Sequence, residues 1–147
     1  MKRVAILTVA AVLSLTADAW AFNRNISGTW RESDGTQWFV VQGGSSCGFT
    51  TSIRTETTGL ISFNFSGFIS DNGGDDNFSY SGMMEPKTVR SRGKSCRITG
   101  SMRAAGDVAG EFGGRVIHMD SCVLTFTASC GVDESKSVSQ DCSGTWM

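Results

Sequence analysis

A short pattern recurs along this chain: apolar, small, glycine, any residue, apolar. It reads Ile26-Ser27-Gly28-Thr29-Trp30, Phe65-Ser66-Gly67-Phe68-Ile69, Tyr80-Ser81-Gly82-Met83-Met84, Ile98-Thr99-Gly100-Ser101-Met102, Val108-Ala109-Gly110-Glu111-Phe112 and Cys142-Ser143-Gly144-Thr145-Trp146. The first and last copies share Ser-Gly-Thr-Trp. In a β-strand, residues i, i+2 and i+4 lie on one face. Each copy therefore turns its two apolar ends and its glycine to the same side. A glycine inside a strand weakens it unless the strand bends or a neighbour comes close. Small closed barrels need such kinks, and a ring from the next strand can cover the glycine. The uneven spacing of the copies rules out a fixed-period solenoid.

Read outward from these anchors, the alternation predicts strands near 25–32, 36–43, 47–56, 59–70, 76–85, 94–104, 106–119, 121–130 and 138–146. The links between them are short and carry turn chemistry, as in Ser33-Asp34-Gly35 and Gly43-Gly44-Ser45. No segment holds helical spacing. Nine phenylalanines and a single proline fit turn-rich β structure rather than disorder. The expected fold is all-β: an antiparallel up-and-down barrel of about eight strands, closed by pairing of the first and last strands. The alternative is a β-sandwich. No proline-rich or charge-rich linker divides residues 22–147, which read as a single domain.

The first 21 residues are set apart. Lys2 and Arg3 precede an apolar run from Val4 to Ala17, and Ala19-Trp20-Ala21 supplies small residues at a cut site. This is the pattern of a secretory signal peptide spanning 1–21, with Ala17-Asp18-Ala19 as a second cut. The run falls short of the roughly 20 apolar residues a transmembrane helix needs. The mature protein is expected to be secreted or periplasmic and not membrane-spanning.

Five cysteines follow, at 47, 96, 122, 130 and 142. Export to an oxidising compartment makes disulfides the default. Strand phase turns all five to the apolar side. Cys122 and Cys130 lie eight residues apart on one strand, roughly 27 Å, too far to bond each other. Cys130–Cys142 across a polar turn and Cys96–Cys122 are the expected pairs, leaving Cys47 as a free or intermolecular thiol.

Catalytic chemistry finds little purchase. The one histidine, His118, would have to serve any nucleophilic site, with Asp120 two residues on. No nucleophile elbow or active-site cysteine motif accompanies it, and it reads as a polar strand residue. There is no Cys-x-x-Cys for zinc. Asp71 to Asn77 is rich in oxygen ligands but lacks the spacing of a calcium loop and reads as a solvated turn. Lys87, Arg90, Arg92, Lys94 and Arg97 form a basic run without interleaved aromatics for stacking bases. With a formal net charge of −1, nucleic acid is not an expected partner, and no metal or cofactor is implied.

The segment Gly28-Thr29-Trp30-Arg31-Glu32-Ser33-Asp34-Gly35-Thr36-Gln37-Trp38-Phe39-Val40 resembles the first hairpin of avidins: Gly-x-Trp, a polar turn, Gly-Ser/Thr, then an apolar strand. Lipocalins also begin with Gly-x-Trp. Both families are small up-and-down barrels holding one small ligand. The resemblance puts Glu32 where avidins carry a ligand-binding Asn and Thr36 where they carry a contacting Ser, with Trp38 in the strand beyond. A Glu in place of Asn, and the lack of any tryptophan between Trp38 and Trp146, count against biotin itself. The function implied is an exported, non-enzymatic binding protein for a small molecule or a surface. One alternative is a secreted or periplasmic protein-binding or inhibitor module. Another is a structural exported protein. The inward rings Trp30, Phe49, Phe63, Phe65, Phe78, Tyr80, Phe112, Phe126 and Trp146 decide whether the interior is filled.

Overall fold

Glycine-bearing turns cut the chain into hairpins, and every hairpin joins antiparallel neighbours. The computed structural model describes residues 22–55, 59–74, 76–91, 93–110, 114–131 and 134–147. The signal-peptide segment, Asp75, Arg92 and Phe112 lie outside them. The strands are β1 (Gly28–Arg31), β2 (Gln37–Gly43), β3 (Ser46–Thr55), β4 (Gly59–Asp71), β5 (Asn77–Met84), β6 (Lys87–Ser91), β7 (Lys94–Ala109), β8 (Val116–Ser129), β9 (Ser135–Asp141) and β10 (Gly144–Trp146). They form a ten-stranded antiparallel sheet in the order β1-β2-β3-β4-β5-β7-β8-β10, with β6 on β7 and β9 on β8. No helix occurs among the described residues, so none is long and apolar enough to cross a membrane.

β6 continues the line of β5 along β7, and β9 runs into β10 along β8. The path is thus a meander. Its ladder does not join β1 to β10. The two ends meet instead through one residue pair, Arg31 and Met147, whose backbones exchange hydrogen bonds of 2.8 and 3.0 Å. The sheet is rolled, because rings from strands that are not neighbours touch. Trp38 on β2 stacks on Trp146 of β10 with centroids 5.2 Å apart, and Phe65 on β4 meets Phe126 of β8 at 6.0 Å.

The recurring motif serves two ends. In the paired strands its glycine allows close approach: a Cβ on Gly67 would sit 1.9 Å from the Ser81 carbonyl oxygen, and one on Gly82 would collide with the Tyr80 ring folded over it. In the two Ser-Gly-Thr-Trp copies the glycine takes a positive φ, +141° at Gly28 and +123° at Gly144, a region side chains rarely adopt. The tryptophan two residues on is then buried. Its indole N–H donates to the carbonyl of the motif's own first residue, Trp30 to Ile26 at 2.8 Å and Trp146 to Cys142 at 3.1 Å.

The expected strand 106–119 does not exist as a unit. Its first residues belong to β7 and its last to β8, with the hairpin turn beginning at Gly110, φ +82°. The expected break at Asp120 is instead a bulge within β8. Ala105 faces Ser121 while Gly106 faces Met119, and Met119 faces Gly144, so Asp120 has no partner position. A bulge inserts one residue and shifts the face of everything beyond it. Ile117 and Met119 point inward before it, Cys122 and Leu124 after it.

The disulfides follow the register, which corrects the expected pairing of Cys130 with Cys142 and Cys96 with Cys122. Cys96 bonds Cys130, and Cys122 bonds Cys142, with Cα atoms 4.1 and 4.8 Å apart. Each pair continues a ladder, β7 against β8 and β8 against β9. Cys142 sits across from Cys122, eight residues along β8 from Cys130, so a Cys130–Cys142 bond would have to span much of the strand's length. Cys47 is the remaining thiol, buried in the core.

Two outcomes are expected in urea unfolding monitored by tryptophan fluorescence. Replacing Cys122 and Cys142 together by Ser frees a loop with sequence separation 20 and should lower stability by about 3 kcal/mol. Gly67→Ala should cost about 3 kcal/mol, because the atoms in conflict, the Ser81 carbonyl and the Gly82 Cα, belong to paired backbone that cannot yield.

Candidate functional site

The inner face is filled through most of its length. Trp38, Trp146, Phe49, Phe65 and Phe78 are all within 1% of full burial. Phe49 also meets Tyr80 at 4.6 Å, and the Tyr80 hydroxyl donates to the Cys47 carbonyl at 3.0 Å. At the lower end, where the β2–β3 and β7–β8 turns lie, the segment before β1 seals the roll. Phe22 packs on Phe78 at 5.5 Å, Ile26 is fully buried, and Arg24 bonds Asp76 at 2.7 Å and the Gly110 carbonyl at 2.6 Å.

The upper end, where β8 turns into β9, is open. There β3, β4, β7, β8 and β9 run past the short β1–β2 turn, and their inward positions line an open cleft of about 320 Å³. Ile53, Phe63, Ile98, Phe126, Ala128 and Val138 form its apolar surface, with Lys136 and Gln140 at its edge. The register explains the composition. Ile98 faces Ala128, which faces Lys136, and Phe126 faces Val138. Lys87 faces Ile98 from the other side, so one row of the sheet carries an apolar centre between two lysines. Phe63 and Phe126 touch at 5.1 Å and floor the cleft. Shallow depressions of about 530 and 560 Å³ lie on the outer wall beside Gly48 and Arg103. Both are lined mainly by small and polar residues, whereas the mouth is lined mainly by apolar side chains.

The residues named by the hairpin resemblance come together at the β1–β2 turn, each with a partner inside the fold. The Trp38 ring is buried against Trp146, and its indole N–H donates to Glu32 Oε1 at 2.6 Å. Thr36 closes the turn: its carbonyl accepts the Glu32 N–H and its own N–H donates to Asp34 Oδ1. Burial is the main force raising the Glu32 pKa above the ordinary carboxylate value, opposed by the Trp38 hydrogen bond and reinforced by Asp34 and Asp141.

The remaining candidates are scattered. His118 Nδ1 lies 3.2 Å from Asp107 Oδ2, directly across from it on β7, with both side chains on the outer wall. Among the described residues no nucleophile bonds that ring. Burial pushes the Cys47 thiol up to about 12, which keeps it protonated and unreactive at neutral pH. The described residues hold no cluster of metal-binding side chains. In the basic run, Lys94 pairs with Glu134 at 3.1 Å, while Arg90 and Arg97 face outward. Sequence reasoning missed the cleft because its residues come from five strands. Their only local signal was the inward phase of Phe63, Ile98 and Phe126.

Comparison with protein-family models, with curated proteins and with solved structures returned no match.

Glu32→Gln keeps an acceptor for the Trp38 indole and removes the titration. A carboxyl with a raised folded-state pKa stabilises the fold less as pH climbs from the ordinary value through the raised one. The variant should therefore be the more stable protein at pH 7, with the gap closing towards pH 4. Urea midpoints across that range check it.

Proposed function

We propose that this chain is an exported, non-enzymatic binding protein, secreted or periplasmic, whose sheet closes as an up-and-down barrel. The barrel reading draws on the Arg31–Met147 backbone pair and on the Arg115 guanidinium. The latter donates to the carbonyls of Asn25 and Ser27 and lies 5.4 Å from the Trp30 ring centre, spanning the gap between β8 and the chain before β1. Two disulfides suit an oxidising compartment.

One observation carries the binding reading: the interior is packed with rings, yet its upper mouth leaves an apolar cleft uncovered. Apolar surface turned inward but left open is the usual mark of a binding site. The ligand therefore sits in the mouth and not in the barrel's centre. The cleft volume is near the low end for small-molecule pockets, which suits a small apolar molecule or one apolar side chain of a protein partner. The Glu32, Thr36 and Trp38 group acts as the structural rim of the β1–β2 turn.

Ile53 stands at the cleft's edge, about one third exposed, so Ile53→Asp should leave the fold intact. An environment-sensitive apolar dye such as anilinonaphthalene sulfonate should bind the wild type, and Ile53→Asp should weaken it at least about tenfold, the effect of about 1.4 kcal/mol. Failure of the folded wild type to bind the dye, or equal binding by the variant, overturns the mouth as a binding site.

A further inference from the structure

β9 is exposed at every residue from Ser135 to Asp141. It pairs with β8 along one edge, and no described strand lies along the other. The backbone accounting says what that edge offers. Cys130 N–H donates to the Glu134 carbonyl at one end of the β8–β9 ladder, and Cys142 N–H to the Cys122 carbonyl at the other. Hydrogen-bonded pairs alternate along an antiparallel ladder, so Lys136, Val138 and Gln140 direct their backbone groups to β8. Ser135, Ser137, Ser139 and Asp141 direct theirs to the open edge. Such a row of unpaired donors and acceptors is a template for another strand.

The fold covers its other seam. Below the Arg31–Met147 pair, the Arg115 guanidinium reaches the carbonyls of Asn25 and Ser27. No described side chain does the same for β9. The strand has no proline and, before Asp141, one charge, Lys136, whose side chain points over the cleft. Natural edges usually defend themselves with those devices.

We infer that β9 pairs antiparallel with β9 of a second copy of this chain, on a twofold axis through Val138. The strand is self-complementary in that register. Ser137 faces Ser139 of the second copy and Ser135 faces its Asp141, which are the residues with free backbone groups. Lys136 faces Gln140, so no like charges oppose each other, as they would if the axis passed through Lys136. Val138, half-exposed in the single chain, faces its own counterpart in the non-hydrogen-bonded position where side chains lie closest. The contact is the same patch on both copies, as a closed dimer requires. It does not depend on what the cleft binds.

Analytical ultracentrifugation of the exported, disulfide-bonded protein tests this. The wild type should pass from monomer to dimer mass as concentration rises. Ser137→Pro removes an N–H that β8 does not use, and should remain monomeric with both disulfides formed and an unchanged far-ultraviolet spectrum. Ser137→Ala keeps that N–H and should dimerise. Should Ser137→Pro fail to fold, Val138→Lys decides, since position 138 is half-exposed in the single chain and the substitution sets two like charges together in the dimer. A wild type that is monomeric at every concentration overturns the inference, including one whose β9 edge is held by an unrelated polypeptide. So does a folded Ser137→Pro or Val138→Lys that still doubles its mass.

Discussion

The indole of Trp146 lies on that of Trp38 at an interplanar angle of 16°, and the rolled sheet depends on that contact between its second and last strands. Each ring is positioned by a local device. Trp146 is aimed by the positive φ of Gly144 and held by its bond to the Cys142 carbonyl. Trp38 is held by Glu32. Around the stack, Phe49 meets both tryptophans edge-on, one of the geometries aromatic pairs prefer. Each of these large rings is worth a few kcal/mol when buried. Gly67 and Gly82 let β4 and β5 lie close, and Tyr80, which meets Phe49, folds over Gly82.

Both ends of the chain use the same five-residue unit, and the units meet. Arg31 follows Trp30, Met147 follows Trp146, and these two successors exchange backbone hydrogen bonds. The resemblance of Ile26–Trp30 to Cys142–Trp146 is thus a likeness of structure as well as of letters. The disulfides reinforce the other side. Cys122–Cys142 ties β8 to the strand that delivers Trp146, and Cys96–Cys130 ties β7 to the far end of β8. Both cross-links lie along β8, the strand interrupted by the bulge at Asp120.

The two ends of the roll differ. Below, Phe22, Ile26 and Arg24 plug the interior. Above, the long strands run past the short β1–β2 turn, so Phe63, Ile98 and Phe126 lose a cover on one side. The asymmetry follows from turn position: a hairpin cannot shield residues that lie beyond its own turn. The proposed cleft and the open edge of β9 arise from that one difference in strand length.

Local pattern determined much on its own. Period-two alternation with glycine-centred copies is enough to specify all-β structure, inward rings and inward cysteines, because side-chain direction in a strand depends only on parity. The positive-φ turns at Gly35 and Gly44 were likewise visible as local chemistry. Tertiary structure alone decided what depends on register. A single bulged residue at Asp120 reverses parity, so the strand read at 106–119 broke in the wrong place. Disulfide partners depend on which residues stand opposite, and opposition is a property of two strands. Glu32, Thr36 and Trp38 meet at the β1–β2 turn, but the burial of Trp38 against Trp146 is set by a strand far away in sequence. The cleft gathers side chains from five strands, which no window along the chain brings together.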